Sequence, residues 1–251
     1  RPRPSSTRSW LPDQFVVSDD VGYGRVAALV PAAGRGERLG PGAPKAIREI
    51  AGTPMLVYAV KALAASPVVD VVVVAAPSDY REDVGSLLQP QEFSAEVFVV
   101  SGGESRSESV ARALIALPDD VDVVLVHDAA RPLVPPEVIT NVVAAVRDGH
   151  AAVVPVVPLV DTIRTVSGDA SLGATVSRDS LRAVQTPQGF TRDVLQRAHA
   201  EIDAHVTDDA GMVERLGIAV HAVDGHEDAF KVTRPLDIVL AEALIEHRRT
   251  R

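Results

Sequence analysis

From Arg25 onward, short apolar runs alternate with stretches whose apolar residues recur at helical spacing. The runs at 26–30, 69–75, 97–100, 121–127, 151–157 and 218–223 are mostly Val-rich and apolar at successive positions. Strands of a parallel sheet covered on both faces have this pattern. Between them lie five helical segments. Segment 54–65 has a proline at its start, where the missing N–H costs nothing. Segment 105–117 opens on Ser105 with Glu108 three residues later, a capping-box spacing. Segment 136–147 begins with Pro136 and stops before Gly149. Segment 209–216 stops at Gly217, a C-cap glycine. The last is 235–247. The alternation predicts an α/β fold with a doubly wound, mostly parallel sheet, and its ligand crevice beyond the carboxyl ends of the strands.

Two regions break this rhythm. Residues 158–188 contain Thr162-Ile163-Arg164-Thr165-Val166, a turn at Ser167-Gly168-Asp169, and Ala174-Thr175-Val176. This is a β-hairpin pattern, predicted as an arm inserted in the fold. Because an isolated hairpin is marginal on its own, the arm is expected to reach a second subunit. Residues 1–24 are basic and rich in Pro and Ser at their start, and read as a disordered tail before one domain at 25–251.

Composition narrows the chemistry. Of 251 residues, 46% are hydrophobic and 24% charged, with a net charge of −9. The acidic balance argues against a nucleic-acid or anionic-membrane surface, so an anionic ligand must be met by local Arg and Lys. With no cysteine, thiolate metal sites and cysteine nucleophiles are excluded. No apolar run approaches the ~18 residues of a membrane span. The expected setting is the cytoplasm.

The most informative segment is Pro31-Ala32-Ala33-Gly34-Arg35-Gly36-Glu37-Arg38-Leu39, with Lys45 after Pro44. It directly follows the first predicted strand. Small residues there let backbone N–H groups come close to phosphate, and Arg38 and Lys45 add positive charge. The dinucleotide pattern G-x-G-x-x-G fails because Leu39 stands where the third glycine belongs. The phosphate-loop pattern fails because Lys45 lies between Pro44 and Ala46. A plain glycine-rich turn with solvated basic residues would read the same way.

Three further clusters lie near predicted strand ends. In Val126-His127-Asp128-Ala129-Ala130-Arg131, Asp128 is placed to hold a ribose hydroxyl or Mg²⁺, the latter mainly through substrate phosphates. It is equally placed to cap the turn and pair with Arg131. His127 reads as a packed, hydrogen-bonded histidine, not a base. In Ser101-Gly102-Gly103-Glu104-Ser105, glycine permits close backbone approach, and Ser109 supplies a hydroxyl one turn into the helix. In Asp228-Ala229-Phe230-Lys231, an extended chain would put Asp228 and Lys231 on opposite faces, so one shared site requires a bend. Arg38, Lys45, Lys231, Asp128 and Asp228 together suit attack on an NTP α-phosphorus, a reaction that needs positioning and charge neutralisation.

The blocks PAAGRGERL with PK, SGG-x5-S, VHDAARP, the Asp161-Thr162 pair, SRDSLRAVQTPQGF, TDDA and AFKVTRPLD, in this order from Pro31 to Asp237, resemble the 2-C-methyl-D-erythritol 4-phosphate cytidylyltransferase family. The resemblance implies a Rossmann-like nucleotidyltransferase fold, CTP and a sugar-alcohol phosphate as substrates, Mg²⁺ as cofactor, and a homodimer through the β-arm. It further implies Arg38 and Lys45 at the α-phosphorus, with Asp128 near ribose and metal. Pro31, Ala32, Ala33, Gly34, Gly36, Gly103 and Ser109 would line the nucleotide site. Thr162, Arg178 and Thr186 would come from the partner's arm, and Arg131, Asp228 and Lys231 would complete the acceptor pocket. Arg35 and Glu37 fill variable positions, and Glu104 stands where Asp is frequent. A ribitol-5-phosphate cytidylyltransferase shares the nucleotide features. A sugar-1-phosphate nucleotidyltransferase using another base and a non-catalytic nucleotide-binding module are more distant readings.

Overall fold

The computed structural model describes residues 23–33, 45–168, 170–202 and 208–250. Gly34, Gly36 and Arg38, and all but the last two residues of the expected tail, lie outside them.

The sheet begins with β1 (Arg25–Pro31), whose side chains alternate between two cores. Val26, Ala28 and Val30 pack on one face, while Ala27 and Leu29 pack on the other. Burial on both faces explains the unbroken apolar run. β4 (Val71–Ala76), β5 (Glu96–Ser101) and β6 (Val121–Val126) follow. β1 pairs in parallel with both β4 and β6, and β4 with β5. Chain order β1, β4, β5 therefore grows the sheet in one direction before the chain returns to place β6 on the other side of β1. That reversal opens a crevice at the carboxyl ends of β1 and β6, the expected place for a ligand.

The remaining strands are β7 (Ala152–Pro158), β10 (Arg182–Val184), β11 (Gln188–Thr191) and β12 (His221–Asp224). The order is β10-β7-β11-β6-β1-β4-β5, with β12 also on β7. β11 runs antiparallel to both β6 and β7, and β10 antiparallel to β7, making the sheet mixed at this end. A small sheet pairs β2 (Glu49–Ile50) with β3 (Thr53–Pro54).

One face carries α1 (Met55–Ala64), α2 (Arg81–Leu88) and α4 (Pro136–Arg147); the other carries α3 (Arg106–Ile115), α5 (Arg192–Glu201) and α6 (Asp209–Arg215). The sequence reading assigns no helix to α2 or α5. α2 buries only Val84 and Leu88, too thin a stripe to stand out, whereas α5 buries Val194, Leu195 and Ala198 at readable spacing. The strand expected at 218–223 is observed at β12, shifted toward the C-terminus. α7 (Pro235–Arg249) closes a third apolar cluster with Ile50, Met55, Leu133 and Val232.

The inserted arm is smaller than 158–188. Only β8 (Ile163–Val166) and β9 (Leu172–Val176) form a separate hairpin sheet. After it the chain re-enters the main sheet as β10 and β11, where residues 185–190 are buried. Among the described residues, no helix is long and apolar enough to cross a membrane.

Candidate active site

The ends of β1, β4 and β5 form one side of the crevice. Ala32 N–H donates to the Ala75 carbonyl at 2.8 Å, and Gly102 N–H to the Ala76 carbonyl at 2.6 Å, extending both ladders past the strands. A Cβ on Gly102 would lie 3.0 Å from Ala33 Cβ, the Ala76 carbonyl oxygen and Ser109 Oγ. Glycine thus lets Ala33 and the β5 turn approach each other without crowding. α3 starts as the sequence predicts: Glu108 N–H donates to Ser105 Oγ at 3.0 Å, and the Glu108 carboxylate accepts from Glu104 N–H at 2.8 Å.

Ser109 lies in the first turn of α3 with its hydroxyl turned inward. The residue is fully buried, its Oγ accepts from Gly103 N–H at 3.0 Å and donates to the Ser105 carbonyl at 2.8 Å. It shapes the Gly102-Gly103 turn from beneath. Lys45 begins a 3-10 turn, Lys45–Ile47.

Asp128 leaves the end of β6 with a side chain only 12% exposed. Lys231 Nζ donates to Oδ2 at 2.6 Å, and Arg106 Nε donates to Oδ1 at 3.2 Å. Burial by itself would raise the carboxyl's pKa. The charges of Arg106 and then Lys231 outweigh it and hold Asp128 well below the usual carboxylate range. Its pairing is with these two cations. Arg131 meets it through backbone, its N–H donating to the Asp128 carbonyl at 2.9 Å.

Beneath Asp128 runs a fully assigned hydrogen-bond chain. His127 Nε2 lies 3.0 Å from the Arg131 carbonyl, which only accepts, so Nε2 carries the proton. Nδ1 must then accept, and Thr186 Oγ1 donates to it at 3.1 Å. The same Oγ1 accepts from Asp128 N–H at 3.1 Å. His127 is fully buried, and burial depresses its pKa to about 4 despite the raising influence of the Arg131 carbonyl. It is a neutral, structural histidine, in agreement with the sequence reading. Thr186 is a correction. It is 4% exposed and sits under Asp128 within the same protomer, so its hydroxyl does not extend from an arm toward a second subunit.

Arg131 also ties elements together. Its Nη1 donates to the Ala229 carbonyl at 2.7 Å and its Nη2 to the Val184 carbonyl at 3.1 Å. Nearby, Val232 N–H donates to the Ala130 carbonyl at 2.8 Å, setting Lys231 beside Asp128. The Lys231 segment is fixed from its other side by Asp237 Oδ2, which accepts from Thr233 and Arg234 N–H, each at 2.7 Å. The bend demanded by the Asp228/Lys231 spacing is present as a 3-10 turn, Glu227–Ala229. Asp228 nevertheless pairs with Arg248 at 2.6 Å, while Lys231 pairs with Asp128. Phe230, Lys231, Thr233 and Arg234 border a cavity of about 610 Å³.

Thr162 and Arg178 lie at the arm, both exposed. Arg178 donates to the Val160 carbonyl and, with Pro158, Leu159 and Arg182, lines a separate cavity of about 510 Å³. One chain therefore brings Asp128, Lys231 and the Gly102-Gly103 turn to the strand ends but leaves the arm residues apart. The sequence reading misses Arg106 as a partner of Asp128, although Arg106 falls within the quoted SGG-x5-S block.

Comparison with known proteins is consistent throughout. The family model described as IspD: 2-C-methyl-D-erythritol 4-phosphate cytidylyltransferase matches residues 26–247. The chain is 58% identical over 233 residues to a 2-C-methyl-D-erythritol 4-phosphate cytidylyltransferase of Streptomyces avermitilis, covering 90% of this chain and 93% of the relative. It is also 58% identical over 221 residues to one of Frankia casuarinae, covering 88% and 81%. Among solved structures, the 2-C-methyl-D-erythritol 4-phosphate cytidylyltransferase of Thermus thermophilus is similar with a TM-score of 0.73 and 37% identity, over 88% of this chain and 98% of that one.

Proposed function

This chain belongs to the 2-C-methyl-D-erythritol 4-phosphate cytidylyltransferase family and transfers a cytidylyl group from CTP in the pathway that uses that acceptor; from this premise we propose how its residues carry the reaction. A phosphate oxygen of the acceptor attacks the α-phosphorus of CTP in line. The new O–P bond forms as the α–β bridge breaks, and pyrophosphate leaves with the electron pair. The nucleotide is held at the strand-end backbone of Pro31, Ala32 and Ala33, by Gly34 and Gly36, and by the Gly102-Gly103 turn that Ser109 supports. Arg38 and Lys45 neutralise charge developing on the phosphates.

Asp128 orients the ribose and metal side of the nucleotide, and Lys231 lies between it and the acceptor phosphate. Arg131 fixes the segments that carry both, while Asp228 borders the acceptor from the Glu227–Ala229 turn. Thr162 and Arg178 reach the acceptor of a second protomer in a homodimer built on the arm. The exposed arm residues Val160, Val166 and Leu172, at 82%, 68% and 60% exposure, support such an association. The proposed setting is the cytoplasm, with no role for nucleic acid or membrane.

Mg²⁺ fits Asp128 on the chemistry of its donor set. A carboxylate offers about four lone-pair positions, and Arg106 and Lys231 engage one on each oxygen. Among the described residues, no cluster of three His, Asp or Glu could hold a metal by itself. The ion would be held mainly by substrate phosphates. When bound, Mg²⁺ would supply charge neutralisation to the triphosphate.

The observation that carries this reading is the Asp128 carboxylate, kept ionised between two cations at the switch point of the sheet. Pyrophosphate release from CTP should be measured with 2-C-methyl-D-erythritol 4-phosphate and with ribitol 5-phosphate, with and without Mg²⁺. Turnover with the first acceptor alone, lost on chelation, is expected. Turnover with ribitol 5-phosphate alone would overturn the acceptor assignment, and turnover unaffected by chelation would overturn the metal's role.

A further inference from the structure

We propose that Arg106 is a positioning residue for cytidylyl transfer, set in place by the buried Asp209–His199 pair and acting through Asp128. The proposal rests on the reading that Asp128 serves the reaction. Arg106 is the first residue of α3, directly after the Gly102–Ser105 turn. Its guanidinium bridges two carboxylates: Nε donates to Asp128 Oδ1 at 3.2 Å, and Nη1 donates to Asp209 Oδ2 at 2.7 Å. Asp209 is wholly buried, and its second oxygen accepts from His199 Nε2 at 3.0 Å.

The start of α6 is itself fixed. Asp208 Oδ1 accepts from Gly211 N–H at 3.2 Å, and its Oδ2 accepts from Gln188 Nε2 at 2.7 Å. Gln188 Oε1 accepts from Ala210 N–H at 3.2 Å. Gln188 lies on β11, opposite Val126 at the end of β6. Two routes from β6 thus converge on Asp128: the chain itself, and β11 through α6, Asp209 and Arg106.

Burying a carboxylate is a poor way to gain stability, because well-packed apolar residues do as well or better. A buried Asp209 is explained if it orients the arginine. Lys231 is a point charge on a flexible stem and is 40% exposed, so alone it leaves the Asp128 carboxylate free to rotate. A planar fork anchored at its far end prevents that rotation, and a lysine cannot reproduce it. Asp128 is thereby held in one orientation by an arginine that starts α3 directly after the Gly102-Gly103 turn. The Asp208-Asp209 part of the TDDA block acquires a role in this way.

The test is a double-mutant cycle of Arg106→Lys and Asp128→Asn, read as kcat at saturating CTP and acceptor, with folding checked by circular dichroism. Arg106→Lys should lower kcat by about ten-fold or more while the KM for CTP moves much less, and it should cost little further in the Asp128→Asn background. A purely structural role predicts equal losses in both backgrounds, which would overturn the proposal. So would an Arg106→Lys enzyme as fast as its parent while Asp128→Asn is impaired. Unimpaired Asp128→Asn would instead remove the role of Asp128 and the proposal with it. If Arg106→Lys does not fold, Asp209→Asn takes its place in the same cycle, with the same outcomes deciding.

Discussion

The buried His127 makes stability depend on pH in a window that can be calculated. Its folded pKa is about 4 against an ordinary value of 6.5, because burial disfavours the imidazolium. Between these values the unfolded chain binds a proton that the folded chain does not. Unfolding is therefore favoured as pH falls from 6.5 toward 4, and stability rises with pH across the same range. From the two pKa values, acidification from pH 8 to pH 5 should cost about 2 kcal/mol from this residue alone. In a domain of this size that corresponds to roughly 4–8 °C in Tm. Asp128 and Asp209 act in a different window. Their folded pKa values lie below the ordinary 3.8, so the stability they contribute is lost only below about pH 5, as the unfolded carboxylates take up protons. The assay is urea unfolding at pH 5, 6, 7 and 8 for the parent and for His127→Gln, which keeps a donor near Nε2 and does not titrate. The variant should lose about 2 kcal/mol less than the parent between pH 8 and pH 5. Identical pH dependence in the two proteins would refute the reasoning, since the titrating group would then lie elsewhere.

Three further outcomes follow from the site. Thr186→Val removes the hydroxyl joining His127 Nδ1 to Asp128 N–H; it should cost about 1–3 kcal/mol by calorimetry and lower kcat, with Thr186→Ser restoring both. Gly102→Ala places a methyl group 3.0 Å from the Ala76 carbonyl oxygen and Ala33 Cβ; the KM for CTP should rise about ten-fold, equivalent to ~1.4 kcal/mol, and an unchanged KM would remove this turn from the nucleotide site. Arg178→Ala should raise the KM for the acceptor roughly ten- to hundred-fold, as expected for loss of a charge-assisted hydrogen bond, and leave that for CTP unchanged; an unmoved acceptor KM would detach the arm from the acceptor pocket.

The sheet is legible in the sequence because strands covered on both faces must be apolar at successive positions, as β1 and β4 are. The helix starts are legible because capping is local: Ser105 and Glu108 meet within one turn, as do Arg234 and Asp237. The hairpin of the arm is legible in the same local way, whereas the point where the chain returns to the sheet is not. Whether Arg182–Val184 and Gln188–Thr191 continue an excursion or return to the sheet is decided by pairing with β7 and β6, which no local pattern records. Thr186 goes with that error. In the sequence it stands eight residues from Arg178, yet the return to the sheet buries one beneath Asp128 and leaves the other exposed.

Asp128 illustrates why a site residue can be named from a sequence while its environment cannot. Its position at the end of an apolar strand marks it as a candidate. Its carboxylate is set by Arg106 and Lys231 and its backbone N–H by Thr186, which are 22, 103 and 58 residues away in the chain. Asp209, which anchors Arg106, is another 103 residues from that arginine. None of these contacts exists until β6 is packed with α3, α6, β11 and the segment before α7. The carboxylate at the crevice is therefore a property of the whole folded domain, and substitutions in α6 or β11, remote from any substrate, should act on the reaction through it.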